Sequence, residues 1–97
     1  MHVVSRKTLC DFWRKHADAE DALKAWFKEA EAAAWGSFDD IKARYRSADV
    51  IAGNRVVFNI KGNTYRLVVK IQYKYKRVFI RFVGTHAEYD KINAETI

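Results

Sequence analysis

The sequence predicts an α+β fold: N-terminal helices packed on one face of a small, mainly antiparallel sheet. Two observations carry this expectation. Apolar residues recur at helical spacing through the first half and alternate at strand spacing from Arg55 onward. The links between the later strands are also too short for parallel crossovers, so those strands form a meander. The expected order is β-α-α-α-β-β-β-α in a single domain, residues 1–97, long enough for a real core though not a thick one.

Val3 and Val4 supply a short opening strand. Ser5 can cap a helix in which Leu9, Phe12, Trp13 and His16 fall at i, i+3, i+4, i+7. Asp18 can cap a second helix with Ala22, Leu23, Trp26, Phe27 and Ala30 on one face, and Gly36 is placed to stop it. Ser37 opens a third, "SFDDIKARYR", whose two early acids suit the positive end of the helix dipole. "RVVFNIKG" and "TYRLVVKIQY" then form a hairpin around Gly62-Asn63, and a turn within residues 74–76 leads into "RVFIRFVG". Thr85 and Glu88 have the spacing of a capping box for a terminal helix.

Composition excludes several classes. Half the residues (49%) are hydrophobic and none is Pro, unlike a disordered chain. Cys10 stands alone, which rules out an intrachain disulfide and fits a reducing compartment. The first residues lack the apolar segment of a signal peptide, and no apolar run is long enough to span a bilayer. The expectation is a cytoplasmic protein without membrane partners.

The net charge of +6 is not evenly spread. Residues 1–49 hold nine Lys/Arg and nine Asp/Glu; residues 50–97 hold nine against three, so the whole excess lies in the second half. Between Val50 and Ala87 there is no acid. Strand alternation sorts the side chains further. Val56, Phe58 and Ile60, then Tyr65, Leu67, Val69 and Ile71, then Val78, Ile80 and Phe82 make an apolar face for the helices. The opposite face gathers Asn59, Lys61, Arg66, Lys70, Arg77 and Arg81 around Phe79 and two Val, with Lys74 and Lys76 in the adjoining turn. Cations can neutralise phosphates and an exposed ring can stack on a base, so this face suits nucleic acid; a merely solvated basic face is the alternative.

At the edge of that face lies "RFVGTHAEYDKI". His86, Tyr89 and Asp90 are three and four apart and can share one side of the terminal helix. An imidazole and a phenol would then border Arg66 and Arg81. RNA is cut without metal when its own 2′-hydroxyl attacks the adjacent phosphorus. His86 suits the proton transfers, the two guanidiniums suit the charge of the transition state, and Tyr89 suits orienting or relaying. A capped helix start with solvent-facing His and Tyr accounts for the same residues. His86, Glu88 and Asp90 alternate around a helix and do not converge as metal ligands, so neither metal nor cofactor is expected.

The stretch from Phe58 to Asp90, with its N-x-x-G-N-x-x-R and R-x-x-x-T-H-x-E-Y-D patterns, resembles the HigB family of bacterial toxin–antitoxin toxins within the RelE-like group. The opening "MHVVSRKTL" is similar too. Asn59, Gly62, Asn63, Arg66, Arg81, Thr85, His86, Glu88, Tyr89 and Asp90 match the family pattern. The resemblance implies an mRNA interferase, an endoribonuclease that cleaves translated mRNA in the ribosomal A site and is neutralised by a cognate HigA-type helix-turn-helix antitoxin. It implies Arg66, Arg81, His86 and Tyr89 as catalytic residues. Asn59, Lys61, Lys70, Lys74, Lys76, Arg77 and Phe79 would hold RNA. A non-catalytic RNA-binding module on the same face remains the other reading.

Overall fold

The change of period at Arg55 becomes a division of labour between layers. The computed structural model describes all 97 residues. In chain order the elements are β1 (His2–Val4), α1 (Arg6–Lys15), a 3-10 turn (Ala17–Ala19), α2 (Glu20–Ala32), α3 (Phe38–Arg44), β2 (Asp49–Ile51), β3 (Arg55–Ile60), β4 (Tyr65–Gln72), β5 (Arg77–Thr85) and α4 (His86–Asp90). The five strands form one sheet in the order β1-β5-β4-β3-β2, with β1 parallel to β5 and every other pair antiparallel. The predicted order lacks β2. That strand is only three residues long and mostly exposed, so it carries no apolar alternation. What makes it possible is the turn before β3, where Gly53 and Asn54 both take left-handed φ, 73° and 58°.

The helices cover one face of the sheet, as their apolar spacing requires. Leu9 and Phe12 of α1, Leu23, Trp26 and Ala30 of α2, and Ile41 of α3 are buried against Val56, Phe58, Leu67, Val69, Ile71 and Val78. Phe58 sits at the centre, in edge contact with Trp26 and Tyr45 and stacked near Trp35. These rings are core, and removing such area from water is the main stabilising term of the fold.

Several caps differ from expectation. Ser5 precedes α1 but takes a left-handed conformation and its hydroxyl caps nothing. Asp18 lies within the 3-10 turn, where its carboxylate accepts from Tyr65 Oη and Lys61 Nζ instead of capping α2. Helix α2 ends at Ala32, short of Gly36, because the chain start docks there: the Met1 amino nitrogen donates to the carbonyls of Glu31 and Ala33, and Val3 N–H to the Glu31 carboxylate. Ser37 precedes α3 without a side-chain cap.

The main correction concerns β5. Val68 pairs with Phe82 and Val69 with Ile80, which leaves Arg81 as an extra, unpaired residue in the strand. Such a bulge reverses the alternation beyond it. Phe82, expected on the helix-facing side, therefore lies on the opposite face, and Val83 packs against the helical core instead. On that second face Val57, Val68 and Ala94 form a smaller buried cluster with Ile51, Phe82, Tyr89, Ile92 and Ile97 around it. The face expected to be open and basic is thus closed over its middle by residues 91–97.

Candidate functional site

The corner between β5 and α4 is built by Gly84, Thr85 and Glu88. Glu88 N–H donates to Thr85 Oγ1 (3.2 Å) while the Glu88 carboxylate accepts from Thr85 N–H (2.8 Å), so the predicted capping box is complete. The Thr85 N–H bond holds the Glu88 carboxyl below its ordinary pKa, against the opposing effect of partial desolvation. Gly84 is buried, and a Cβ there would stand 2.5 Å from Phe82 Cζ and 3.0 Å from Glu88 Oε1. Only hydrogen fits between the ring and the cap.

Gly84 is also the register partner of Arg66 on β4. With no side chain opposite, the Arg66 guanidinium extends over the strand end to the helix. Its Nε lies 3.4 Å from His86 Nε2, donating to that nitrogen, and its Cζ lies 4.7 Å from the centroid of the Tyr89 ring. All three residues are half-buried. Tyr89 in turn leans on Phe82, with ring centroids 6.3 Å apart, so the bulge that moved Phe82 to this face also supports the phenol. Arg66, His86 and Tyr89 therefore converge at this corner. Asp90 is exposed on the same short helix.

Arg81 does not join them. It is exposed, its Nε donates to the main-chain oxygen of Ile97 (3.3 Å), and it lines an open cleft of about 190 Å³ with Lys70, Gln72 and Phe79. The other predicted RNA contacts separate into groups. Lys70 and Phe79 share that cleft. Arg77 opens β5, and Lys74 and Lys76 form the exposed β4–β5 turn at the sheet end opposite α4. Lys61 is paired with Asp18 at 2.9 Å. Asn59 Nδ2 donates to the Ser47 carbonyl, leaving its Oδ1 buried and without a partner.

Two further polar residues lie on this face. Arg55 is buried to 8% exposure and donates through both Nε and Nη2 to the Ile97 oxygen, at 2.8 and 2.5 Å. It alternates with Val57 and Asn59, so its face was readable; the chain segment that would cover it was not. Gln72 alternates with Lys70 at the strand end and lines the same cleft, and an uncharged amide there carries no sequence signal of its own.

Chemically, the corner offers a lone-pair nitrogen, a fixed cation and a phenol within reach of one another. The adjoining face supplies further cations at positions where no acid competes: Lys70, Arg77 and Arg81 take part in none of the ion pairs. That combination suits a phosphodiester.

Comparison with known proteins places the chain in a family. The chain is 30% identical to the "mRNA interferase toxin HigB" of Escherichia coli K12 over 97% of its own length and 92% of that protein's. The same figures hold for the "mRNA interferase HigB" of Escherichia coli O157:H7. A further "mRNA interferase HigB", from Escherichia coli O6:H1, is 23% identical over 95% of this chain and 91% of the relative. Residues 19–92 match the model of the HigB toxin family, described as the RelE-like toxic component of a toxin–antitoxin system. With most of its length inside that match, and a sheet and helices arranged as described above, the chain belongs to the HigB toxin family and has the RelE-like fold.

Proposed function

We propose that the protein is an mRNA interferase that cleaves translated mRNA in the ribosomal A site, is neutralised by a cognate HigA-type helix-turn-helix antitoxin, and works in the cytoplasm. The observation that carries this reading is Arg66 held between His86 and Tyr89 at the rim of a cationic face, in a chain of this family.

The reaction is attack by the 2′-hydroxyl on the adjacent phosphorus. His86 Nε2 accepts the 2′ proton as the 2′ oxygen bonds to phosphorus. The P–O5′ bond breaks, the 5′ oxygen takes a proton from water, and a 2′,3′-cyclic phosphate and a 5′-hydroxyl result. Arg66 binds the non-bridging oxygens, where charge accumulates, with its plane kept in place by the Tyr89 ring. Its contact to His86 is long, 3.4 Å, so exchange for a phosphate oxygen costs little. Arg81, across the C-terminal segment, grips a neighbouring phosphate. A small sheet has few means of bending RNA into in-line geometry, and a ribosome can supply that orientation, which is a large part of such a barrier.

The test is cleavage of a defined mRNA in a purified translation reaction. His86→Gln should slow it by roughly 10²-fold or more, and Arg66→Ala by a similar factor. Wild-type rates in both variants would remove the assigned roles. RNA binding with no cleavage by the wild-type protein would favour a non-catalytic RNA-binding module.

A further inference from the structure

The cleft lined by Lys70, Gln72, Phe79 and Arg81 differs from the rest of the second face. Phe79 is half-buried, yet it belongs to neither hydrophobic cluster and makes no ring contact or cation–π contact within the chain. An aromatic ring normally finds such partners, so its free flank is unusual. Lys70, its register neighbour, is half-buried without a carboxylate, and Arg81 uses only Nε within the protein. Gln72 is exposed at the rim, its side-chain amide without an internal hydrogen bond among those of the fold.

We propose that this cleft is a nucleotide subsite for single-stranded RNA, in which a base stacks on Phe79, Gln72 reads its edge, and Lys70 and Arg81 hold the flanking phosphate. The inference rests on the ribonuclease reading above and extends it from where the RNA is cut to which sequence is chosen. A ring alone would fit many apolar ligands and two cations alone would fit any anion. The combination with an amide at one rim fits a base joined to a phosphate.

Position supports the link to the cut. Lys70 follows Arg66 by four residues on one strand, and a strand rises about 3.3 Å per residue, so roughly 13 Å separate their Cα atoms. That is a span of a few extended nucleotides. The subsite would therefore hold a nucleotide close to the scissile phosphate but outside the reacting pair. The arginine of the bulge makes this possible: as the unpaired residue of β5, Arg81 is turned toward the cleft instead of being locked in the ladder.

The experiment uses fluorescently labelled 2′-O-methyl RNA hexanucleotides, which cannot be cut, differing at one position at a time. Binding to the full chain is measured by anisotropy. Wild-type protein should prefer one base at one position. Phe79→Leu, which keeps apolar bulk but loses the flat face, should weaken binding about tenfold. Gln72→Ala should level the preference among the bases at that position. Lys70→Gln and Arg81→Gln should each make the salt dependence shallower by roughly 0.7 in log–log slope. Unchanged affinity and unchanged preference in Phe79→Leu and Gln72→Ala would overturn the subsite. So would equal competition by an acidic peptide of the same charge, which would make the cleft a reader of charge alone. Because the probe is uncleavable, these outcomes stand apart from those of the cleavage assay, whose failure would sink the ribonuclease reading by itself.

Discussion

Replacing Gly84 with Ala tests how the corner holds the site. The new methyl would stand 2.5 Å from Phe82 Cζ and 3.0 Å from Glu88 Oε1, both inside contact distance. The carboxylate can swing aside, but it then releases Thr85 N–H and opens the capping box, at a cost of about 1 kcal/mol. The Phe82 ring is less free, since Tyr89 lies on it and the Val57–Val68–Ala94 cluster packs beside it. Overpacking of this kind costs roughly 1–3 kcal/mol. The sum, about 2–4 kcal/mol in a domain of this size, lowers the unfolding midpoint by roughly 8–30 °C. Thermal unfolding followed by circular dichroism measures it. Cleavage should fall further than stability alone explains at temperatures where the variant is folded, because Arg66 lies opposite residue 84 and His86 follows two residues later. The double variant Gly84→Ala, Phe82→Leu should recover part of the midpoint, through relief of the shorter contact. A single Gly84→Ala variant with unaltered midpoint and activity would refute the argument that only hydrogen fits there.

Glu88 and Arg55 give two other perturbations. The Glu88 carboxyl is held below its ordinary value by Thr85 N–H, so its folded-state pKa is depressed. Its contribution is therefore complete above the usual glutamate range and is lost as pH falls through the lowered value. Glu88→Gln, which keeps an acceptor oxygen but cannot titrate, should flatten this acid-side loss of stability; an unchanged slope in urea unfolding against pH would contradict it. Arg55→Met removes the buried fork on the Ile97 oxygen while filling similar space. Hydrogen bonds from a charged group are worth about 1.5–3 kcal/mol, so amide exchange in residues 91–97 should quicken by one to two orders of magnitude while β4 is unaffected.

Phe58, Thr85 and Phe82 mark how far the fold is legible in the sequence. Phe58 was legible: alternation placed it inward, and the structure surrounds it with rings from two helical regions and the segment between them. Thr85 was legible because its box closes within four residues, with no distant partner needed. Phe82 was not. Its face depends on one unpaired residue at Arg81, and a bulge leaves no mark in an alternation read strand by strand; it is defined by the register against Val68 and Val69. The converging trio survived this error because Arg66 lies on the regular part of β4 and His86 and Tyr89 lie beyond the bulge, on a helix fixed by its own cap.

The bulge also explains why two arginines expected at one centre stand at two. Had β5 continued without it, Phe82 would point into the helical core and leave Tyr89 without its neighbour. Residues 92–97 would then lose one of the apolar side chains they close over. With the extra residue, Phe82 anchors that second cluster, the C-terminal segment settles across Val57 and Val68, and Arg55 and Arg81 are drawn to the Ile97 oxygen. The cationic face is thereby split into a corner with His86 and Tyr89 and a cleft with Phe79. A polyanion that crosses both must pass this apolar strip, where phosphates gain nothing and bases can make contact. Single-stranded RNA, with charge along one side and apolar faces along the other, meets both requirements, whereas a duplex buries its base faces. If the split governs binding, single-stranded RNA should outcompete a duplex of equal charge in the same anisotropy assay. Equal competition would reduce the face to a patch of charge.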